Sequence, residues 1–251
     1  MTNATAVAQL RARIEQAERV GRIGRSGRIA AGAPILPAPP ELARALPDRG
    51  LRAGSVYALG RSGALLTALL AASSVAGGWC AVVGIPEFGV EAARDAGVDL
   101  ERIAFVPHPG DRWLSVVGAL AEAIGVVAVR PRGRVGDAEA ARLGARLRER
   151  HAVLLVQGAW PLAEARLEVE SREWTGLGTG HGLLERCTAG VRITSRRGGA
   201  SRRARMVLAG PTEPGRVWAG RDAQLTGDAQ LARDAADVQG LLDARLQMAV
   251  G

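Results

Sequence analysis

Lysine is absent from this sequence of 251 residues, so all 33 basic side chains are arginine. Aromatic residues are scarce at 3%, and a core must therefore be built mainly from alanine, valine, leucine and isoleucine. The two cysteines, Cys80 and Cys187, have no C-x-x-C spacing, which excludes a disulfide framework and a cysteine-rich zinc site. The histidines form no pair with metal-ligand spacing, so we expect no metal and no cofactor.

Long apolar runs are also missing. None reaches the ~18 residues that a membrane-spanning helix needs. The first residues, Met1–Thr5, are not followed by the basic and apolar regions of a secretory signal. We therefore expect a cytoplasmic protein with reduced, buried thiols and no membrane contact.

Positive charge is the property present in excess, with a formal net charge of +8. The excess lies before residue 211, because residues 211–251 carry 4 arginines against 6 acids. A basic body with a mildly acidic tail is typical of a protein that contacts nucleic acid or an acidic protein partner.

The hydrophobic pattern divides the chain into three regions. Residues 1–49 contain an amphipathic helix at 6–20 and a basic, proline-rich linker, and residues 211–251 contain an amphipathic helix at 228–250. Between them, residues 50–210 alternate short apolar strands with helices and end in strands without intervening helices. This alternation predicts an α/β fold with a mostly parallel sheet, helices on both faces, and antiparallel strands at the C-terminal edge.

The predicted elements of the 50–210 core follow directly from this pattern. Strands are expected at 55–59, 79–85, 103–106, 125–129, 152–156, 166–174, 189–195 and 204–209, and helices at 64–76, 89–96, 111–124 and 137–150, the last with Asp137 as its N-cap. Trp79, Trp113, Trp160 and Trp174 are expected to be core residues.

A degenerate phosphate-binding motif follows the first of these strands. A P-loop reads G-x-x-x-x-G-K-[ST], and its lysine binds the β- and γ-phosphates. With Gly60 as the first glycine, Leu65 and Leu66 replace the second glycine and the lysine, and Thr67 supplies the hydroxyl. With Gly63 as the second glycine, Ala64 stands at the lysine position. Neither alignment supplies an ammonium group, and the leucines would place apolar bulk in the phosphate groove.

Several strings in their common order resemble the RecA-type ATPase core over residues 50–210. Cys80–Val83 with the downstream Ala96–Leu100 is similar to the second strand of RecA and its Leu-Gly-Val-Asp, and 187–209 resembles its closing arginine-bearing hairpin. Gly125–Val129 resembles the Walker B strand, but Arg130 stands where RecA has a magnesium-binding aspartate. Leu154–Gln157 resembles the strand whose last polar side chain senses the γ-phosphate.

Among RecA relatives, the lost Walker residues, the proline-rich entry and the arginine-rich composition resemble the ImuA-type proteins, especially the actinobacterial ImuA′ form. The resemblance implies a non-catalytic pseudo-ATPase that acts in translesion synthesis during the SOS response to DNA damage. The implied partners are ImuB, a Y-family polymerase relative, and through it an error-prone replicative-type DNA polymerase. The residues expected around the degenerate nucleotide pocket are Gly60, Arg61, Gly63, Leu65, Leu66, Thr67, Glu87, Arg130 and Gln157.

Two further surfaces are candidates for binding. An arginine cluster on the closing hairpin could contact DNA phosphates, or it could simply protect an edge strand from aggregation. Its members are Arg192, Arg196, Arg197, Arg202, Arg203 and Arg205. The tail offers apolar residues for a partner protein, namely Trp218, Leu231, Val238, Leu242 and Leu246. The N-terminal helix is a candidate for self-association, because RecA relatives use such helices to contact a neighbouring subunit.

Two alternatives to the adaptor hypothesis remain open at this stage. The chain could be an active ATPase or recombinase with an atypical P-loop, in which Arg61 contacts phosphate. It could also resemble SulA, a cell-division inhibitor that shares a degenerate RecA fold and targets the tubulin-like division protein. Binding and turnover of ATP would identify the first, and co-purification of the division protein would identify the second.

Overall fold

The structure, a computed structural model, describes residues 33–177, 182–197 and 200–209. The two predicted flanking helices, and the tail residues proposed for partner binding, lie outside this part of the chain. In the described residues, no helix has both the length and the hydropathy that crossing a membrane requires.

The described chain begins with a small unit that precedes the main sheet. Strands β1 (Ile35–Leu36) and β2 (Leu51–Arg52) pair antiparallel, and helix α1 (Pro40–Ala45) lies between them. Proline suits the first position of a helix because the amide that it lacks has no partner there, and α1 begins at Pro40 after Pro39. The sequence pattern predicted only a proline-rich linker here, so α1 and the two short strands were missed.

The main domain follows the predicted alternation of strands and helices. Its elements are β3 (Val56–Leu59), α2 (Gly63–Val75), β4 (Cys80–Val83), α3 (Val90–Asp95), β5 (Ile103–Val106), α4 (Trp113–Leu120), β6 (Val126–Val129), α5 (Asp137–Arg150), β7 (Val153–Gln157), β8 (Ala165–Leu177), β9 (Gly182–Ser195) and β10 (Arg202–Ala209). Short 3₁₀ turns at Leu100–Arg102 and Gly110–Arg112 precede β5 and α4. The predicted fold class is confirmed.

The strands form an eight-stranded sheet in the order β10-β9-β8-β3-β7-β6-β4-β5. The six strands β8, β3, β7, β6, β4 and β5 are parallel to one another. At the other edge, β9 pairs antiparallel with β8, and β10 pairs antiparallel with β9. The central strands β3, β4, β6 and β7 are buried along their whole length. Such continuous apolar runs are typical of parallel strands covered on both faces.

Alternate side chains of each strand reach opposite layers of helices. Cys80 and Val82 pack in one cluster with Leu65, Leu66 and Leu69 of α2. The intervening Ala81 and Val83 are equally buried but point to the other face, where α4 packs against β4 and β6. The central parallel strands are thus held between two apolar layers, whereas β8, β9 and β10 carry charged residues along their length.

Two predictions for single residues were wrong. Trp174 is not a core residue, since 49% of its surface is exposed. It lies on β8 beyond Leu167, the last residue of β8 that pairs with β3, so within the described sheet its one neighbouring strand is β9. The N-cap of α5 is Gly136 and not Asp137, which is the first helical residue; the Gly136 amide donates to Glu139 Oε2 at 3.1 Å.

Candidate functional site

The predicted pocket residues gather at the carboxyl edge of the parallel strands. Gly60 follows β3, Glu87 follows β4, Arg130 follows β6, and Gln157 ends β7. These four strands are neighbours in the order β3-β7-β6-β4, so residues that are far apart in sequence end at one edge. Open α/β sheets bind their ligands outside the carboxyl ends of the strands, so this edge is the candidate binding site.

Arg130 joins two of the other predicted residues. Its Nη1 forms an ion pair with Glu87 Oε1, and its Nη2 donates to Gln157 Oε1 at 2.7 Å. The Arg130 side chain is 21% exposed and Gln157 is 4% exposed, whereas Glu87 is largely open to solvent. The guanidinium therefore bridges a buried amide and a surface carboxylate across the ends of β4, β6 and β7.

The backbone at this edge explains why the bridge forms. The Arg130 amide donates to the Val83 carbonyl at 3.1 Å, which keeps the turn after β4 close to β6. Gly84 has φ +69°, and a Cβ on it would lie 2.9 Å from the Arg130 carbonyl oxygen. A side chain at this position would push the two turns apart, so the glycine allows the approach that pairs Glu87 with Arg130.

Electrostatics at the bridge follow from these contacts. The pKa of Glu87 is lowered, first by a hydrogen bond from its own backbone amide and next by the Arg130 guanidinium, and Arg61 adds a weaker Coulombic effect. Arg130 Nε, by contrast, is buried without a hydrogen-bond partner among the described residues. The site therefore holds a positive group, partly compensated, at the carboxyl end of β6.

The connection between β3 and α2 is short. Only residues 60–62 separate the two elements, whereas the P-loop motif has four residues between its glycines. The Ser62 amide donates to the Gly60 carbonyl at 2.8 Å, and Ser62 Oγ caps the helix by accepting from the Leu65 amide at 3.3 Å. The turn therefore forms a hydrogen bond within itself. The Ser62 side chain also takes up the Leu65 amide, which is one of the amides at the N-terminus of α2.

The remaining residues of the motif lie on α2. Leu65 and Leu66 have no exposed surface and pack in the core, so the expectation that they would fill a phosphate groove is not met. In a helix that begins at Gly63, the third and fourth positions turn toward the sheet. Thr67 is half-buried one position later, Gly63 is exposed at the start of α2, and Arg61 is exposed in the turn before it.

The arginines of the closing hairpin are paired with glutamates of β8. Arg192 Nε lies 3.2 Å from Glu170 Oε1, and Arg203 Nε donates to Glu170 Oε2 at 2.9 Å. Arg205 pairs with Glu173. The pKa of Glu170 is lowered, chiefly by the hydrogen bond from Arg203. These pairs reduce the positive charge available to DNA phosphates, and the predicted protection of an edge strand suits β10.

A buried carboxylate anchors the end of the same hairpin. Glu164 is 6% exposed, and its Oε1 lies 2.7 Å from Arg197 Nε. Arg196 Nη2 lies 3.9 Å from the other carboxylate oxygen, and Arg197 also approaches Asp48 Oδ2 at 3.6 Å. Arg197 is therefore held by two acids of the domain, whereas Arg196 only approaches one of them. Arg202 is exposed at the start of β10.

Tyr57 lies beside this cluster in the core. Its hydroxyl oxygen accepts from the Arg52 amide at 2.8 Å. Burial, as the largest cause, raises the pKa of Tyr57 to about 12. The sequence analysis missed both Tyr57 and the glutamates. The one available signal was the alternation of Arg166, Glu168 and Glu170 along β8, which places charged side chains on a single face.

One of two comparisons with known proteins concerns the first part of the domain. Residues 44–162 match the family model described as the MT3502 N-terminal domain, a range that includes Glu87, Arg130 and Gln157. The chain is also 36% identical over 116 residues to a Mycobacterium tuberculosis (strain ATCC 25618 / H37Rv) protein named "Uncharacterized protein Rv3395c". That alignment covers 45% of this chain and 57% of the mycobacterial protein. The chain thus spans little more than half of the length of this relative.

Proposed function

We propose that this chain is a non-catalytic accessory protein of the ImuA type. In this proposal it acts as an adaptor for an ImuB-type Y-family polymerase relative in DNA-damage-induced mutagenesis, and through it serves an error-prone replicative-type polymerase. The observation that carries the pseudo-ATPase half of the proposal is the bridge from Arg130 to Glu87 and Gln157.

The charge of the bridge opposes magnesium nucleotide chemistry. A nucleoside triphosphate brings about four negative charges, which P-loop enzymes meet with a lysine, backbone amides and Mg²⁺ held by a carboxylate. Here a guanidinium stands at the carboxylate position, so a metal ion would lose a ligand and meet a like charge. Glu87, the nearest candidate for activating water, and Gln157, the candidate γ-phosphate sensor, are both engaged by Arg130.

The turn after β3 supports the same proposal. Its three residues are too few to wrap a triphosphate. In addition, Ser62 Oγ accepts from the Leu65 amide, which would otherwise be available to a phosphate at the N-terminus of α2. An adaptor retains this fold because a rigid sheet positions surfaces for partners. The adaptor role itself rests on the ImuA resemblance, and the similarity to a mycobacterial protein agrees with the actinobacterial ImuA′ form.

The hairpin arginines have a secondary part in this proposal. Since most of them pair with glutamates, we assign them to the stability of the sheet edge, and direct DNA contact stays a prediction. Self-association through the N-terminal helix also stays a prediction, because residues 6–20 lie outside the described chain.

Two measurements on the purified full chain test the proposal. Calorimetric titration with ATP·Mg²⁺ is expected to give no saturable binding tighter than about 100 μM and no turnover, because the Walker ligands are missing. Co-expression with the ImuB-type polymerase relative is expected to yield a stable complex through size-exclusion chromatography.

Each alternative function has its own result. ATP binding in the micromolar range with hydrolysis would establish an active ATPase and overturn the pseudo-enzyme half of the proposal. Recovery of the tubulin-like division protein, with no complex formed by the polymerase relative, would favour the SulA-like alternative. A catalytically intact RecA-type ATPase, titrated in the same buffer, is the positive control for nucleotide binding.

A further inference from the structure

A cationic cavity of about 700 Å³ lies next to the bridge at the carboxyl edge of the sheet. Its walls come from residues 131–135 after β6, residues 157–163 after β7, and the facing ends of β8 and β9. Three arginines from these separate segments line it, namely Arg134, Arg166 and Arg196. No aspartate or glutamate is among the described lining residues.

The charge in this cavity is only weakly compensated. Within the described chain, no carboxylate lies within ion-pair distance of Arg134, which is exposed. Arg166 is 3.6 Å from Glu168 and Arg196 is 3.9 Å from Glu164, both long for an ion pair, and both arginine side chains are about half exposed. The cavity therefore presents positive charge to an anionic ligand, unlike the hairpin face, where close glutamates neutralise the arginines.

The other side of the cavity is apolar and strained. Leu162 is 64% exposed, although a large apolar side chain in water gives no stability. Its φ of +59° is in the left-handed region, which is unfavourable for any residue other than glycine, asparagine or aspartate. Trp160 and Pro161 precede it, and this short segment also borders a second cavity of about 480 Å³. Exposed apolar surface on a strained backbone, set between two cavities, is typical of a binding position.

A protein segment fits these walls better than a nucleic acid does. Base recognition in single strands relies on exposed aromatic rings, and Trp160, the aromatic residue among those lining the cavity, is buried. Proline, valine, alanine and leucine make up much of the lining instead, and they suit an apolar side chain. Clusters of arginines around an apolar surface are a common arrangement for recognising acidic peptides.

We propose that this cavity binds an acidic segment of a partner protein, with one apolar side chain against Leu162 and carboxylates on Arg134, Arg166 and Arg196. The proposal deepens the adaptor function by naming a docking surface and the chemistry of its ligand. It rests on that function only in assuming that the chain works through its surfaces, and its test requires no polymerase.

The test uses fluorescence anisotropy with a short fluorescein-labelled peptide that carries glutamates on both sides of a leucine. Reversal of one cavity charge in Arg134→Glu is expected to weaken binding by about tenfold or more, because one ion pair is lost and one repulsion is added. Arg94→Glu, on exposed α3 away from the cavity lining, makes the same change in net charge and is expected to change the affinity by less than about twofold.

A second variant separates binding from folding. Asparagine tolerates the left-handed conformation, so Leu162→Asn is expected to keep or raise the melting temperature while weakening the peptide complex. Replacing the leucine of the probe by serine should produce a similar loss of affinity in the wild type. If Leu162 were merely structural, the variant would melt earlier and bind the peptide as the wild type does.

Several outcomes would overturn the proposal. They are no binding of the peptide, equal losses in Arg134→Glu and Arg94→Glu, and tighter, Arg134-dependent binding of a labelled single-stranded oligonucleotide, which would assign the cavity to nucleic acid. Failure of the peptide assay leaves the polymerase complex to be judged by co-purification. Absence of that complex, in turn, leaves a positive peptide result intact.

Discussion

The bridge at Arg130 has an energetic consequence that a double-mutant cycle measures. Arg130→Met keeps an unbranched apolar stem but removes the charged hydrogen bond to Gln157, which is 4% exposed. A hydrogen bond of this kind contributes ~1.5–3 kcal/mol, and removing one partner leaves the other buried and unsatisfied. Against this loss stands Arg130 Nε, which is buried without a partner and whose desolvation the methionine removes. We therefore expect a net loss of only ~1–2 kcal/mol in the free energy of unfolding.

Gln157→Leu completes the cycle. This variant removes the amide at nearly constant volume, and the double variant lacks both partners, so it should be close to the wild type in stability. The gain from relieving Arg130 Nε cancels in the cycle, because it occurs whether or not Gln157 is present. The remaining coupling energy is expected to be ~1.5–2 kcal/mol, which is the contribution of the pair itself.

Urea denaturation followed by the fluorescence of the five tryptophans measures each corner of the cycle. Arg94→Met is the matched control, since Arg94 and Asp95 form an exposed ion pair, and it should change stability by less than ~0.5 kcal/mol. A coupling energy below ~0.5 kcal/mol would refute the bridge as a stabilising contact. It would mean that Arg130 is free to accept another partner at the edge of the sheet.

The remaining predictions concern pH. Tyr57 is the one tyrosine in the sequence, so phenolate absorbance reports it alone; its midpoint should lie at about 12 in the folded chain and near ~10 in urea, and a folded-state midpoint near ~10 would contradict its burial. Since the pKa of Tyr57 is higher in the folded chain than in the unfolded chain, the protonated hydroxyl contributes its full stability below pH ~10. That contribution is lost as the pH rises through about 12. Because the folded pKa of Glu87 is lowered, Glu87→Gln should melt earlier than the wild type at neutral pH, and the gap should close as the pH falls from ~4.3 through that folded pKa. A gap that persists in acid would show that the carboxylate charge is not its cause.

Local patterns were sufficient to predict most elements of the core. The apolar runs predicted β3, β4, β5, β6 and β7 with ends shifted by no more than three residues, and the range of α5 is as predicted. These elements carry their own periodicity, so the pattern is visible without the partner strand. The segment before residue 53 was missed because α1 is six residues long and its packing against β10 stabilises it, a contact that no local pattern reveals.

The candidate site was predicted in part. Arg130, Glu87 and Gln157 were predicted near one pocket from the resemblance to the RecA core, and the structure places all three at the ends of neighbouring strands. Their bonding was not foreseen, since it depends on the strand order that makes β6 the neighbour of both β4 and β7. The glutamate partners of the hairpin arginines were missed for the same reason, because the register that sets Arg192 opposite Glu168 is a long-range property.

By itself, the sequence determined the α/β class and most of the core strands. Both follow from the periodicity of apolar residues over neighbouring positions. Only the tertiary structure decided that Arg130 is engaged by Glu87 and Gln157, that most hairpin arginines have glutamate partners, and that Arg134 and Leu162 meet in one cavity. The physical reason is that strand order and register bring together side chains separated by tens of residues, and the interaction of two charges depends on that distance in space.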